Sequence, residues 1–161
     1  FSYVLTGDVK NGLDSARRAV DLNPSMPEAW IWLGFAQLLS GDPEACIAST
    51  RQAQQLNPQG PMASWAYDNT ALANWEMGRY DASLEAARRL VAARPTYYWG
   101  HVYLAMNAVS LGHLDEARAA IAEARRVAPN LSLAMMQQGL GVARPEIDAR
   151  RNAALRQAGL E

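Results

Sequence analysis

The sequence predicts an all-α solenoid of stacked helix pairs, and three observations predict it. Four prolines close similar phrases, Leu22-Asn23-Pro24, Leu56-Asn57-Pro58, Ala93-Arg94-Pro95 and Ala128-Pro129-Asn130, at intervals of 34, 37 and 34 residues. A recurrence of that length marks a unit that cannot bury its apolar face alone and stacks on its neighbours. Helix breakers at Gly41-Asp42-Pro43, Gly78-Arg79-Tyr80 and Gly112-His113 divide each unit in two. Alanine is frequent and β-branched residues are scarce, a composition for short helices rather than strands.

Residues 1–26 read as a partial unit. Gly12, Leu13, Ala16, Ala19, Val20, Leu22 and Pro24 fit a second helix, with the turn at Gly7-Asp8 and Phe1–Thr6 as the tail of a first. A start in mid-unit, on Phe1 rather than Met, carries the expectation of a fragment whose N-terminal face exposes apolar surface. The unit 27–60 opens with Pro27, which suits a first helical turn because its missing N–H costs nothing there. Trp30, Leu33 and Gly34 follow, and the second helix starts at Pro43 and carries Ile47, Ala53 and Leu56.

The unit 61–95 is expected to run as helices Met62–Met77 and Tyr80–Ala93. Its three extra residues fall at Pro58-Gln59-Gly60-Pro61, which predicts a local change of superhelical pitch. The unit 96–129 reads as helices Tyr97–Leu111 and Leu114–Ala128, with Leu104, Ala105, Ala117, Ile121 and Ala124 in register. Residues 130–161 read as capping helices: Leu131–Gln138, a break at Gly139-Leu140-Gly141, and a last helix from Pro145 to Gly159. In that last helix Ile147, Ala154, Leu155 and Ala158 share a face, opposite the polar Glu146, Asp148, Arg150 and Arg151, as a capping element requires.

The literal W-x-x-L-G of Trp30, Leu33 and Gly34, with the 34-residue period over Gly7–Pro129, resembles the tetratricopeptide repeat family. Gln37, Cys46, Thr50 and His101 depart from that signature, His101 standing where it has Trp. The resemblance implies a right-handed α-α superhelix of about three full repeats, preceded by a half repeat and closed by a capping helix. It also implies that the first helices line a concave groove for a protein or peptide. By register that groove would hold Glu28, Ile31, Phe35 and Leu38, then Trp65, Asp68, Asn69, Leu72 and Trp75, then Trp99, Val102, Tyr103, Met106 and Val109. Such an aromatic trough suits binding, since Trp and Tyr dominate interface hot spots; packing of some of these rings between repeats is the alternative. No cation stands at the matching positions, so capture of a terminal carboxylate is not expected, and a hydrophobic or basic segment suits the trough better.

Composition excludes several classes. The net charge of −1 supplies no field for nucleic acid or an anionic membrane. The single cysteine, Cys46, rules out an internal disulfide or a cysteine-based zinc site, and reads as a small buried space-filler. There is no apolar run long enough to span a bilayer and no signal-peptide pattern, giving a cytoplasmic expectation. His101 and His113 lack a third ligand at helical spacing, so neither metal nor cofactor is expected. Arg17, Arg18, Arg51, Arg88, Arg89, Arg125 and Arg126 form a stripe on the second helices. Asp14 four before Arg18, Glu85 four before Arg89 and Glu123 three before Arg126 make it a solvated, ion-paired face. No catalytic constellation is present; an enzymatic reading would have to rest on Asp68 or His101 alone.

The phrases RPTYYWGHVYLA (Arg94–Ala105), LGHLDEARAAI (Leu111–Ile121) and LRQAGLE (Leu155–Glu161) resemble the C-terminal repeat region of bacterial class III adenylate/guanylate cyclases. Related tails occur on winged-helix transcriptional regulators. The resemblance implies a non-catalytic interaction and regulatory module of a larger signalling protein, whose partner is a peptide, another protein or another domain of its own chain. Self-association as a homodimer through the N-terminal face is the competing expectation.

Overall fold

The computed structural model describes residues 8–139 and 144–161, and every described element is helical or a turn. The order is α1 (Val9–Leu22), α2 (Pro27–Leu39), α3 (Pro43–Leu56), α4 (Ala63–Glu76), α5 (Tyr80–Ala93), α6 (Tyr98–Ser110), α7 (Leu114–Val127), α8 (Leu133–Gly139) and α9 (Pro145–Gln157). Helices α2/α3, α4/α5 and α6/α7 are hairpin pairs, each stacked on the next, and α1 packs on α2. The expected tail Phe1–Thr6 and the break at Gly139-Leu140-Gly141 lie wholly or mainly outside the described residues.

Each first helix ends in the same way. Gly41, Gly78 and Gly112 take φ of +90°, +74° and +82°, a left-handed conformation that a Cβ penalises. The residue after each returns its N–H five residues back: Asp42 to Gln37 O at 2.9 Å, Arg79 to Asn74 O at 2.8 Å, His113 to Ala108 O at 2.8 Å. These are Schellman closures, and they aim each second helix back along the first. Asp42 then caps α3 by accepting from Ala45 N at 3.0 Å.

The signature tryptophan and its substitute do the same work. Trp30 Nε1 donates to Pro24 O at 2.8 Å, and the buried His101 places Nε2 3.0 Å from Pro95 O. Each ring anchors its helix to the proline that closes the preceding unit, and a carbonyl acceptor fixes the histidine proton on Nε2. His101 is therefore a structural post.

Small residues set the spacing of the pairs. Gly34, Ala71 and Ala105 are buried in the middle of the first helices. Beside Gly34, Asn69 Nδ2 donates to Ile31 O at 3.0 Å and to Thr50 Oγ1 at 3.3 Å, tying α2, α3 and α4 together. Cys46 is sealed in the same knot, and burial pushes its thiol up to about 12. A thiol held in that way is no nucleophile at neutral pH.

Of the expected surface ion pairs, Glu85–Arg89 (2.9 Å) and Glu123–Arg126 (2.8 Å) form. Asp14 pairs with Arg17, at 3.9 Å, rather than with Arg18. All three lie in solvent, where such pairs contribute little.

Candidate functional site: a divided concave groove

The first helices α2, α4 and α6 line one face, and the C-terminal segment returns across it. Helix α9 packs against α6, and Ala154, Leu155, Ala158 and Leu160 join the main apolar cluster with Leu38, Leu72, Trp75, Val102, Tyr103 and Met106. The chain end is tied down as well, with Leu133 N donating to Glu161 O at 3.1 Å. The apolar face expected of the last helix is thus buried against the groove. Arg151, expected on its polar side, is only 4 % exposed, and its guanidinium pairs with Asp148 at 3.0 Å.

This return divides the groove residues read from the sequence. Leu72, Trp75, Val102, Tyr103 and Met106 lie on the correct face but are buried with the C-terminal segment, so they are core. Ile31 is buried with Ala53 and Ala66, and Asn69 belongs to the knot beside Gly34. Glu28, Phe35, Trp65 and Trp99 stay partly exposed. The reading of an open trough along the whole face is corrected to an open half and a filled half.

The open half is a ladder of rings that ends on the buried Tyr103. Phe35, Trp32, Trp65, Tyr97, Tyr98, Trp99 and Tyr103 follow one another with centroids 5.5–6.4 Å apart, within the favourable range for aromatic pairs. Arg94 lies over it, its guanidinium carbon 4.1 Å from the Tyr97 centroid and 4.8 Å from that of Trp65. The expectation of a groove without a cation is therefore corrected: the matching helix positions hold none, but the residue before Pro95 delivers one. Trp32, Arg94, Tyr97 and Tyr98 were absent from the sequence-based set. Trp32 had a signal, since it occupies the same register position as Asn69 and Tyr103. Arg94, Tyr97 and Tyr98 precede the signature positions or stand at the helix start, where register gives no warning.

Asp68 sits beneath this ladder. Its carboxylate accepts from Tyr97 Oη at 3.0 Å. Burial raises the Asp68 carboxyl from an ordinary 3.8 to about 6, opposed by the Tyr103 and Tyr97 hydroxyls and by Arg94. A group whose folded pKa is raised binds its proton more tightly when folded. Its contribution to stability is therefore greatest below pH 4 and is lost as pH rises from about 4 to about 6. The loss is about 3 kcal/mol at most. Asp68→Asn removes that dependence, so the variant should gain stability over the native chain between pH 4.5 and pH 7.5. Urea unfolding of both proteins at the two pH values checks this; a difference independent of pH would show that Asp68 is not a buried charge.

Among the described residues, no group of three His, Cys, Asp or Glu side chains is placed to hold a metal ion, and no helix is long and apolar enough to cross a membrane.

Residues 2–61 match the tetratricopeptide repeat family. The whole chain has the fold of tetratricopeptide solenoids. The crystal structure of MamA matches it with a TM-score of 0.69 at 20% identity, over 98% of this chain and 90% of its own. PilW, a widely conserved type IV pilus biogenesis factor, matches at 0.69 and 19% identity, over 90% of this chain and 64% of its own. YrrB, a tetratricopeptide protein with an unusual peptide-binding site, matches at 0.62 and 16% identity, over 94% and 76%. At these identities the likeness speaks for the fold. No curated protein sequence matches the chain. In this chain the concave face is half open and aromatic, half filled by the helix α9.

Proposed function

We propose that the protein is a non-catalytic interaction scaffold that holds a peptide segment of a partner on the open aromatic half of its concave face. The observation that carries this is the ladder from Phe35 to Trp99. Partly exposed Trp and Tyr rings, held rigid by their neighbours, are what hot spots are made of. Arg94 and the buried Asp68 balance each other, so the face selects for apolar and aromatic side chains more than for charge. A fold used by a tetratricopeptide protein with a peptide-binding site supports the same reading.

The test uses peptides selected by display against the intact chain. Trp65→Ala combined with Trp99→Ala should weaken the selected peptides at least thirtyfold, on the basis of about 2 kcal/mol for a hot-spot ring. Helical circular dichroism should be unchanged. Undiminished binding would remove the ladder from the account, and a lost helical signal would make these rings inter-repeat core.

The finer reading is that the array belongs to a larger bacterial signalling protein such as a nucleotide cyclase, acting in the cytoplasm. The signalling part of that reading rests on the phrases of Arg94–Glu161, and the cytoplasmic part on the lack of a signal-peptide pattern or membrane-spanning run in this sequence. Self-association is a second proposal, favoured by Leu22 at 83% and Met26 at 43% exposure on the N-terminal side. A monomer mass in solution at every concentration would dismiss it.

A further inference from the structure

The filled half of the groove is built to receive guanidinium groups. Helices α2 and α4 end side by side there, and the last carbonyls of a helix carry the negative end of its dipole. Arg144 places Nη1 2.6 Å from Leu38 O and pairs through Nη2 with the Glu76 carboxylate. Arg150 donates from Nη2 to Trp75 O and Glu76 O, both at 2.9 Å, while its guanidinium carbon stands 4.2 Å from the centroid of the Trp75 ring. Carbonyls, a carboxylate and an indole face together satisfy a planar, five-donor cation that lysine would satisfy poorly. The Arg144–Glu76 pair borders an open cleft of about 480 Å³ formed with Gly41, Pro43 and Ile147, so a second guanidinium has a way in. The seat also adjoins the aromatic half, because Tyr103 ends the ladder and shares the apolar cluster of Leu155.

The geometry points to α9 as an internal ligand: the partner of this groove is an amphipathic helix with one arginine at its N-cap and a second within it, which take the seats of Arg144 and Arg150 and displace α9. This rests on the proposal that the concave face is the binding face. It adds the partner's chemistry, namely arginines about six residues apart beside an alanine- and leucine-rich stripe. The tethered helix competes at millimolar effective concentration, so the native chain binds such a partner more weakly than a chain whose seats are vacated.

The probe is a labelled synthetic peptide of residues 144–161. The intact chain carrying Arg144→Ala and Arg150→Ala should bind it at least tenfold more tightly than the native chain does. The same peptide carrying Arg144→Glu and Arg150→Glu should not bind. Equal binding of the two peptides, or no gain on vacating the seats, overturns the inference. Hydrogen exchange on the native chain keeps the question decidable if the variant does not fold. Backbone amides of α9 should exchange at least tenfold faster than those of α4 and α6 through local opening. Equal protection would make α9 fixed core and end the inference. Loss of the display-selected peptides on changing Trp65 and Trp99, alongside equal protection of α9, would sink this inference and leave the binding face standing.

Discussion

Gly34→Leu is expected to destabilise the array by more than about 3 kcal/mol, beyond the usual range for inserting bulk into a packed core. A Cβ at Gly34 would lie 2.8 Å from Thr50 Oγ1, 3.1 Å from Cys46 O and 3.3 Å from Asn69 Nδ2. None of these can step aside. Cys46 O is helix backbone, and Thr50 and Asn69 belong to the bonds that join α2 to α3 and α4. Gly34→Ala meets the same atoms with less bulk and regains about 1 kcal/mol of helix propensity, so it should cost less than the leucine. Urea unfolding followed by circular dichroism reads both. In a solenoid the damage should be local, with α1–α3 melting before α6 and α7. A leucine variant with an unchanged midpoint would mean that the helices of the first pair are not in close contact at this glycine.

Trp75→Ala should cost about 3–5 kcal/mol, the range for emptying the site of a large buried aromatic side chain. The ring is 1% exposed, its indole N–H donates to Ser110 Oγ at 3.3 Å, and it forms the floor under Arg150. Truncation removes the support of α4, α6 and α9 together, so the C-terminal helix should lose protection first. Guanidinium unfolding gives the magnitude and hydrogen exchange gives the order. A cost under about 1 kcal/mol, the level of an exposed position, would place Trp75 in an open groove.

The two outcomes for the groove show what a sequence of this kind can disclose. Periodicity carried the helix pairs to within a residue or two, because the breakers at Gly41, Gly78 and Gly112 are local and each closes its helix by the same bonds. It carried the face as well: Trp65, Trp75 and Trp99 all stand on the first helices. It could not disclose which of them is covered. The cover comes from α9, whose N-cap residue Arg144 bonds to Leu38 across 106 residues of chain, and a contact so distant leaves no pattern at either end. Trp32 illustrates a different gap. The same intervals of 37 and 34 that connect Asn69 and Tyr103 to it place Trp32 on the groove face, but only the ring contact with Trp65 shows it there. His101 was legible as a departure from the signature, but its role was not. Only the bond to Pro95, matching that of Trp30 to Pro24, shows that imidazole replaces indole as the helix post.

One half of the concave face is open and aromatic, while the other is sealed by α9 and the residues that follow it. Hydroxyl-radical footprinting of the intact chain, read residue by residue by mass spectrometry, tests it most directly. The account predicts ready oxidation of Trp65 and Trp99, with Trp75 and Met106 protected as buried residues. Oxidation of Trp75 as fast as that of Trp65 would contradict it, for α9 would then not cover the groove.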